Sequence, residues 1–271
     1  MVKNTRVDQA LVDRSMVRTL EEAKRLIMAG KIRHLGQVVM KASRKIPDQD
    51  EITIIPGPKY VSRGGEKLAA ALDYFQLSVN EKICADVGAS TGGFTDCLLE
   101  NGALRVYAID VGYGILDWQL RNDPRVKVLE RTNARNLSAL PEPVERITVD
   151  VSFISLKKIL PVIKDWFSVG GGEAVVLIKP QFEATKQESS RGKGVILDPV
   201  IHQRILTEVL GFARDQGYQI KGLIRSPLKG PEGNTEFLAW LAFPGSQGKT
   251  ESVAELISTL FLFSPETDPE K

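Results

Sequence analysis

The chain has 271 residues, 42% hydrophobic and 26% charged, which excludes a disordered polymer and bounds it at one large domain or a small one joined to a medium one. Its two cysteines, Cys84 and Cys97, exclude a disulfide framework and suggest a reducing, cytoplasmic setting. The net charge of +2 hides an asymmetry: residues 1–45 carry +7 and the rest −5, a basic end on a mildly acidic body.

The first residues carry charges throughout, and no apolar run approaches the ~18 residues of a membrane span, so neither a signal peptide nor a spanning segment is expected. Residues 6–15 read as a short helix, with Val7, Ala10 and Leu11 at helical spacing. Thr19-Leu20-Glu21-Glu22 is a capping box that opens a second helix with Leu20, Ala23 and Ile27 as its stripe and Gly30 as its stop. Short β segments follow around Gln37–Met40 and Glu51–Ile55. Together residues 6–52 resemble the S4 RNA-binding domain, departing from it at the His34-Leu35-Gly36 turn. The resemblance implies structured RNA as partner, with Arg6, Arg14, Arg18, Lys24, Arg25, Lys31, Arg33 and Lys41 as contacting cations. Pro56-Gly57-Pro58 reads as a linker, dividing the chain into an RNA-binding domain (1–57), a larger domain (58–246) and a C-terminal helix with a polar tail (247–271).

From residue 60 strand-like and helix-like segments alternate, which predicts an α/β fold with a mostly parallel sheet. Strands are expected at 82–87, 104–110, 126–130, 146–151 and 173–178, and helices at 65–76, 92–101, 155–167 and 199–216. Segments 218–224 and 235–243 form a hairpin that gives the sheet an antiparallel edge, and Ser252–Phe261 a last helix.

The first of these strands runs into Asp86-Val87-Gly88-Ala89-Ser90-Thr91-Gly92-Gly93-Phe94-Thr95, a small-residue loop at a helix N-terminus where a ligand can approach the backbone. Its spacing, G-x-x-x-G-G, is not the tight pyrophosphate turn of a dinucleotide site but suits S-adenosylmethionine, which has no phosphate. Asp110, at the next strand end, can accept from two ribose hydroxyls. Further strand ends carry Asp150 and Lys179. Glu236 starts the last strand, and its antiparallel direction would bring it to the same edge, while Lys67 lies early in the helix entering the domain.

SRGGEKL, DVGASTGGFTD, AIDVGYG, ERTNAR, DVSFISL, LIKPQFE and GNTEFL resemble the TlyA family, S4-bearing ribosomal-RNA 2′-O-methyltransferases with an FtsJ-like catalytic domain, some of which carry a haemolysin name. The resemblance spans residues 5–243. It implies a Rossmann-like methyltransferase fold, S-adenosylmethionine as cofactor, and 2′-O-methylation of cytidine in ribosomal RNA or its subunits. It also implies a Lys-Asp-Lys-Glu set at Lys67, Asp150, Lys179 and Glu236. Cofactor contacts are expected at Asp86, Gly88, Ser90, Gly92, Gly93, Phe94, Thr95, Asp110 and Asn133, with no metal and no obligate protein partner.

In such chemistry Lys179 would assist loss of the hydroxyl proton, with Lys67 as a like-charged neighbour favouring its neutral form. His34 and His202 have no metal-ligand spacing, Trp118, Trp166 and Trp240 read as core or interface, and Lys186–Lys193 as a basic loop or lid. The competing readings are a nicotinamide oxidoreductase, a non-catalytic RNA-binding protein and a membrane-active haemolysin. Loop spacing, the four-residue set and the missing apolar spans argue against them in turn.

Overall fold

The computed structural model describes residues 4–55, 57–245 and 252–262; Pro56 of the expected linker and the expected polar tail lie outside these. The chain divides into two compact units, Met1–Lys59 and Tyr60–Lys271.

In the small unit β1 (Asn4–Arg6) leads into α1 (Val7–Asp13), followed by α2 (Leu20–Met28), β2 (Ile32–His34), β3 (Gln37–Val38), β4 (Lys45–Pro47) and β5 (Ile52–Ile54). β1 pairs with β4, and β2 lies between β3 and β5. Strands β1, β2 and β4 are not expected from the sequence, whereas the equally short β3 and β5 are. Val7, Leu11, Ala23, Ile27, Ile32 and Ile46 are fully buried and hold the unit together. Thr19 caps α2 as expected, its Oγ1 accepting from the Glu22 N–H at 3.1 Å. The Glu22 carboxylate, however, accepts from the Arg18 N–H at 3.0 Å rather than returning to Thr19. Leu35 and Gly36 join β2 to β3 with φ of +49° and +79°, the doubly left-handed turn that two-residue hairpins favour.

The large unit runs α3 (Gly64–Tyr74), β6 (Ile83–Val87), α4 (Gly93–Glu100), β7 (Arg105–Ile109), α5 (Trp118–Asn122), β8 (Val126–Leu129), β9 (Arg146–Val149), α6 (Leu160–Ile163), β10 (Gly172–Ile178), α7 (Pro180–Glu183), α8 (Lys186–Arg191), α9 (Pro199–Asp215), β11 (Gln219–Arg225), β12 (Phe237–Phe243) and α10 (Val253–Leu262). Seven strands form one sheet in the order β11-β12-β10-β9-β6-β7-β8. β6 to β10 are parallel, and β12 enters antiparallel between β10 and β11. The expected antiparallel edge is therefore present. Near-continuous apolar strands such as Ala174–Ile178, buried along their whole length, fit a sheet covered on both faces. One apolar cluster lies between the sheet and α9, the other between the sheet and helices α3 and α4.

The single helix expected over 155–167 is broken into a 3-10 turn (Leu156–Lys158), α6 and a second 3-10 turn (Lys164–Trp166). Pro161 lacks the N–H that a continuous helix would need there. Asp198 caps α9 as its sequence predicts, accepting from the Val200 N–H at 2.8 Å with Pro199 following. Trp166 is core, and Trp240 is half-buried against Phe75, but Trp118 is 74% exposed. Leu116 and Leu120 fill the buried positions around Trp118 instead.

Candidate active site

β6 delivers the chain to Gly88, whose φ of +86° turns it across the sheet edge. A Cβ at Gly88 would run into the Asp150 carbonyl oxygen, so only glycine lets the two strand ends lie this close. Ser90 donates its N–H to Asp110 Oδ2 at 2.8 Å, and Gly112 donates to Asp110 Oδ1 at 2.7 Å. The Asp110 carboxylate is thus aimed by two backbone N–H groups and keeps lone pairs for further donors. Beside it lies a pocket of about 450 Å³ lined by Gly88, Ser90, Asp110, Asn133, Arg135 and Asp150, among others. Two carboxylates against a single arginine leave the lining net negative, which suits a cationic nucleoside. The pocket therefore fits S-adenosylmethionine, and the expected ribose partner Asp110 lies in its wall. Asn133 is at the pocket wall, though its Oδ1 accepts from the Arg135 N–H at 3.1 Å and caps a 3-10 turn.

Three expected cofactor contacts are not brought to either cavity. Asp86 is fully buried, accepting from Thr95 Oγ1 at 2.7 Å and Thr148 Oγ1 at 3.1 Å. Burial pushes its carboxyl up to about 7. Thr95 is equally buried, so the pair braces the loop from beneath. Gly92 is left-handed at φ +100°, and its Cα faces Leu116 and Leu120. Gly93 and Phe94 line a second, larger cavity on the other side of the loop.

That second cavity, about 750 Å³, shares Gly88, Ser90, Asp150, Ser152 and Phe153 with the first. It is also lined by Lys67, Lys179 and Glu236, so all four residues of the expected set meet there. Antiparallel β12 produces this: Phe237 pairs with Ile178, and Glu236 and Lys179 therefore start from adjacent strand ends. Lys67, from α3, donates to Glu236 Oε2 at 2.5 Å, and this pair is nearly closed to solvent. Lys179 Nζ lies 2.5 Å from Asp150 Oδ1 and donates to Ser152 Oγ at 3.0 Å. The two lysines thus form two separate ion pairs on the walls of one cavity. Glu236, just before β12, meets Lys67 of α3, and Asp150, just after β9, meets Lys179.

Ser152, Phe153, Glu183 and Asn234 lie within the quoted motifs but are not among the expected site residues. Ser152 and Phe153 lie two and three residues after Asp150. Phe153 is 91% exposed with a φ of +61°, an uncommon conformation for an aromatic residue, and lines both cavities. Glu183 accepts from Ser155 Oγ at 2.5 Å and the Leu156 N–H at 2.7 Å, and burial pushes its carboxyl up. Asn234 is buried, accepts from the Ile196 N–H and donates to the Gly194 carbonyl, both at 2.9 Å. Segment 186–193 is not a plain loop: Thr185 and Glu188 form a capping box that starts α8, and Glu188 pairs with Arg204. Ser189 and Gly194 border the larger cavity. His34 pairs with Asp50 at 2.7 Å, and His202 contacts the Ile196 carbonyl at 2.9 Å.

Of the expected RNA contacts in the small unit, Arg18, Lys24, Arg25, Arg33 and Lys41 are exposed and Lys31 half-buried. Arg6 is held by Asp8 at 2.6 Å, and Arg14 donates to the Asp48 and Asp50 carbonyls at 2.7 Å. These two are committed to the unit's own structure.

A family model described as FtsJ-like methyltransferase matches residues 60–243. YqxC of Bacillus subtilis is 45% identical over 93% of this chain and 91% of its own length. The 16S/23S rRNA (cytidine-2′-O)-methyltransferase TlyA of Mycobacterium tuberculosis is 44% identical over 89% of this chain and 91% of its own length. Among solved structures, a Streptococcus thermophilus protein with a hemolysin name has a TM-score of 0.70 at 40% identity, covering 97% of both chains. One from Listeria monocytogenes, named as an S-adenosylmethionine-dependent methyltransferase, has a TM-score of 0.50 at 17% identity over 67% of this chain and 99% of its own, a likeness of fold alone. With its catalytic unit matched throughout and relatives alike over nearly the whole length, the chain belongs to the FtsJ-like methyltransferases, and within them to the TlyA family.

Proposed function

We propose that this chain transfers a methyl group from S-adenosylmethionine to the 2′-hydroxyl of a cytidine in ribosomal RNA. The name of the Mycobacterium tuberculosis relative states that substrate for that protein. The observation that carries the reading is the Lys179–Asp150 pair, which stands where the nucleoside-sized pocket and the larger cleft join.

A ribose hydroxyl is a weak nucleophile, so the protein's work is alignment and management of one proton. When bound, S-adenosylmethionine supplies an electrophilic methyl sulfonium and needs no metal. Lys179 holds the 2′-oxygen and assists loss of its proton, while Asp150 and Ser152 keep its amine in place. Lys67 and Glu236 close the far wall. The exposed cations of the small unit hold RNA through its phosphates, a sequence-independent attraction.

The test is incubation with tritiated S-adenosylmethionine and separate ribosomal subunits, followed by mapping of the labelled nucleotide. Label at a cytidine 2′-oxygen is expected. Label on a base, or none on either subunit with cofactor bound, would overturn the reading.

A further inference from the structure

Two loops carry the reacting side of the cleft. One follows β9 and holds Asp150, Ser152 and Phe153; the other follows β10 and holds Lys179. Neither lies within a long regular element. The first passes through the left-handed Phe153, and α7 after Lys179 is a single turn in which Lys179 makes no capping bond. The contact between Lys179 and Asp150–Ser152 therefore needs something to fix one loop on the other.

Glu183, the last residue of α7, spans them. One carboxylate oxygen accepts from Ser155 Oγ and the other from the Leu156 N–H, at 2.5 and 2.7 Å. Leu156 is buried in the core and Ser155 caps the turn that follows, so these donors belong to the firm end of the first loop. Both bonds are short and end on the two oxygens of one carboxyl group, so they fix its orientation as well as its position. Lys157 and Glu208 are the charges facing this carboxylate. Glu183 does not line the larger cleft, which rules out direct contact with a ligand there as the reason for its placement.

We infer that Glu183 is a positioning residue: its carboxylate clamps the Asp150–Ser155 loop to the Lys179–Glu183 turn and so sets Lys179 against Asp150 and Ser152. The inference rests on the proposed role of Lys179 in methyl transfer. A displacement of about 1 Å at reacting groups costs up to about 100-fold in rate, so loss of the clamp acts on the chemical step.

The experiment compares wild type, Lys179→Ala, Glu183→Gln, Glu183→Ala and Glu183→Ala/Ser155→Ala in single-turnover transfer to ribosomal subunits. The KM for subunits and the Kd for S-adenosylmethionine are measured in parallel. Glu183→Ala is expected to slow transfer about 10- to 100-fold with KM and Kd within threefold of wild type. Glu183→Gln, which still accepts from Leu156, is expected to recover part of the rate even if the alanine variant folds poorly. Adding Ser155→Ala is expected to cost little more, because the two act through one bond. Wild-type rates in both Glu183 variants while Lys179→Ala is inactive would overturn the clamp alone. So would a loss seen wholly in cofactor Kd. An active Lys179→Ala would instead overturn the proposed chemistry, and the clamp's purpose with it.

Discussion

Arginines keep different company in the two units. In the large unit Arg105 holds Glu142, Arg121 holds Glu130, Arg125 holds Asp123, Arg146 holds Glu173, and Arg204 holds both Glu188 and Glu208. Over residues 4–55 of the small unit, Arg6 is the one lysine or arginine in an ion pair. Arg18, Lys24, Arg25, Arg33 and Lys41 stand exposed without one. A guanidinium already held by a carboxylate must give up that partner to bind a phosphate, whereas an unpaired one loses only water. Net charge counts both kinds alike; the structure separates them, and binding and chemistry should separate along the same line.

The sharpest break would come at Lys179. Lys179→Ala should lower methyl transfer about 10²- to 10⁴-fold, the usual scale for a positioned acid–base group, while cofactor and RNA affinities stay within a few-fold. Lys179→Arg keeps the charge but cannot lose its proton at working pH, so near-wild-type single-turnover rates in that variant would rule out a role in deprotonation. RNA affinity that collapses with Lys179→Ala would erase the division between units.

The next effect concerns the unpaired cations. Neutralising Arg18, Arg25, Arg33 and Lys41 together to glutamine should flatten the salt dependence of RNA binding by about 3 in log–log slope, at about 0.7–0.9 per lost phosphate contact. Neutralising the paired Arg125 and Arg204 should leave that slope unchanged. Equal slopes for both sets, measured by titration at several salt concentrations, would show that pairing does not decide which cations meet RNA.

Asp86 is a buried acid held by two hydroxyls and the Thr95 backbone, with no cation beside it, unlike the ion-paired carboxylates elsewhere in the unit. Since its carboxyl is pushed up to about 7, the folded chain keeps a proton that the unfolded chain releases near pH 4. The native state binds more protons in that window, so this group's contribution to stability falls as pH rises from about 4 to 7. Asp86→Asn should remove the loss, making the variant's advantage in denaturant melts larger near neutrality than near pH 5. Identical pH slopes in both proteins would mean that Asp86 is ionised throughout.

The smallest change lies in the small unit. Leu35, exposed and left-handed, occupies a hairpin position that asparagine adopts more readily. Leu35→Asn should stabilise the β2–β3 hairpin by about 1 kcal/mol, the cost of a left-handed non-glycine residue, visible as slower hydrogen exchange over residues 32–38.

What could be foreseen in the sequence follows from the range of each signal. Strands β6 to β10 announce themselves as apolar runs, and the direction of β12 was enough to expect Glu236 beside Lys179. That the two acids orient the two lysines is expected from the sequence, but which acid meets which lysine is not, because a strand pattern gives edges and not partners. Asp86 and Thr95 sit within a recognisable loop, yet which residues of a loop face the ligand and which brace it depends on the Thr148 hydroxyl, 62 positions from Asp86. Glu183 and Asn234 act through bonds to distant backbone groups, and no local spacing encodes these. The break at Pro161 could have been read from the proline itself.

The insertion of β12 between β10 and β11 also sets an order of events during synthesis. Lys67 meets Glu236 across 169 positions of chain, and β10 exposes an open edge until residues 237–243 have been made. Every other strand beside the reacting groups is translated earlier. A nascent chain that ends before residue 236 would thus hold the cofactor loop but not the finished cleft, and would present a bare apolar strand to its neighbours. The cleft is completed only with the last strand of the sheet to be made.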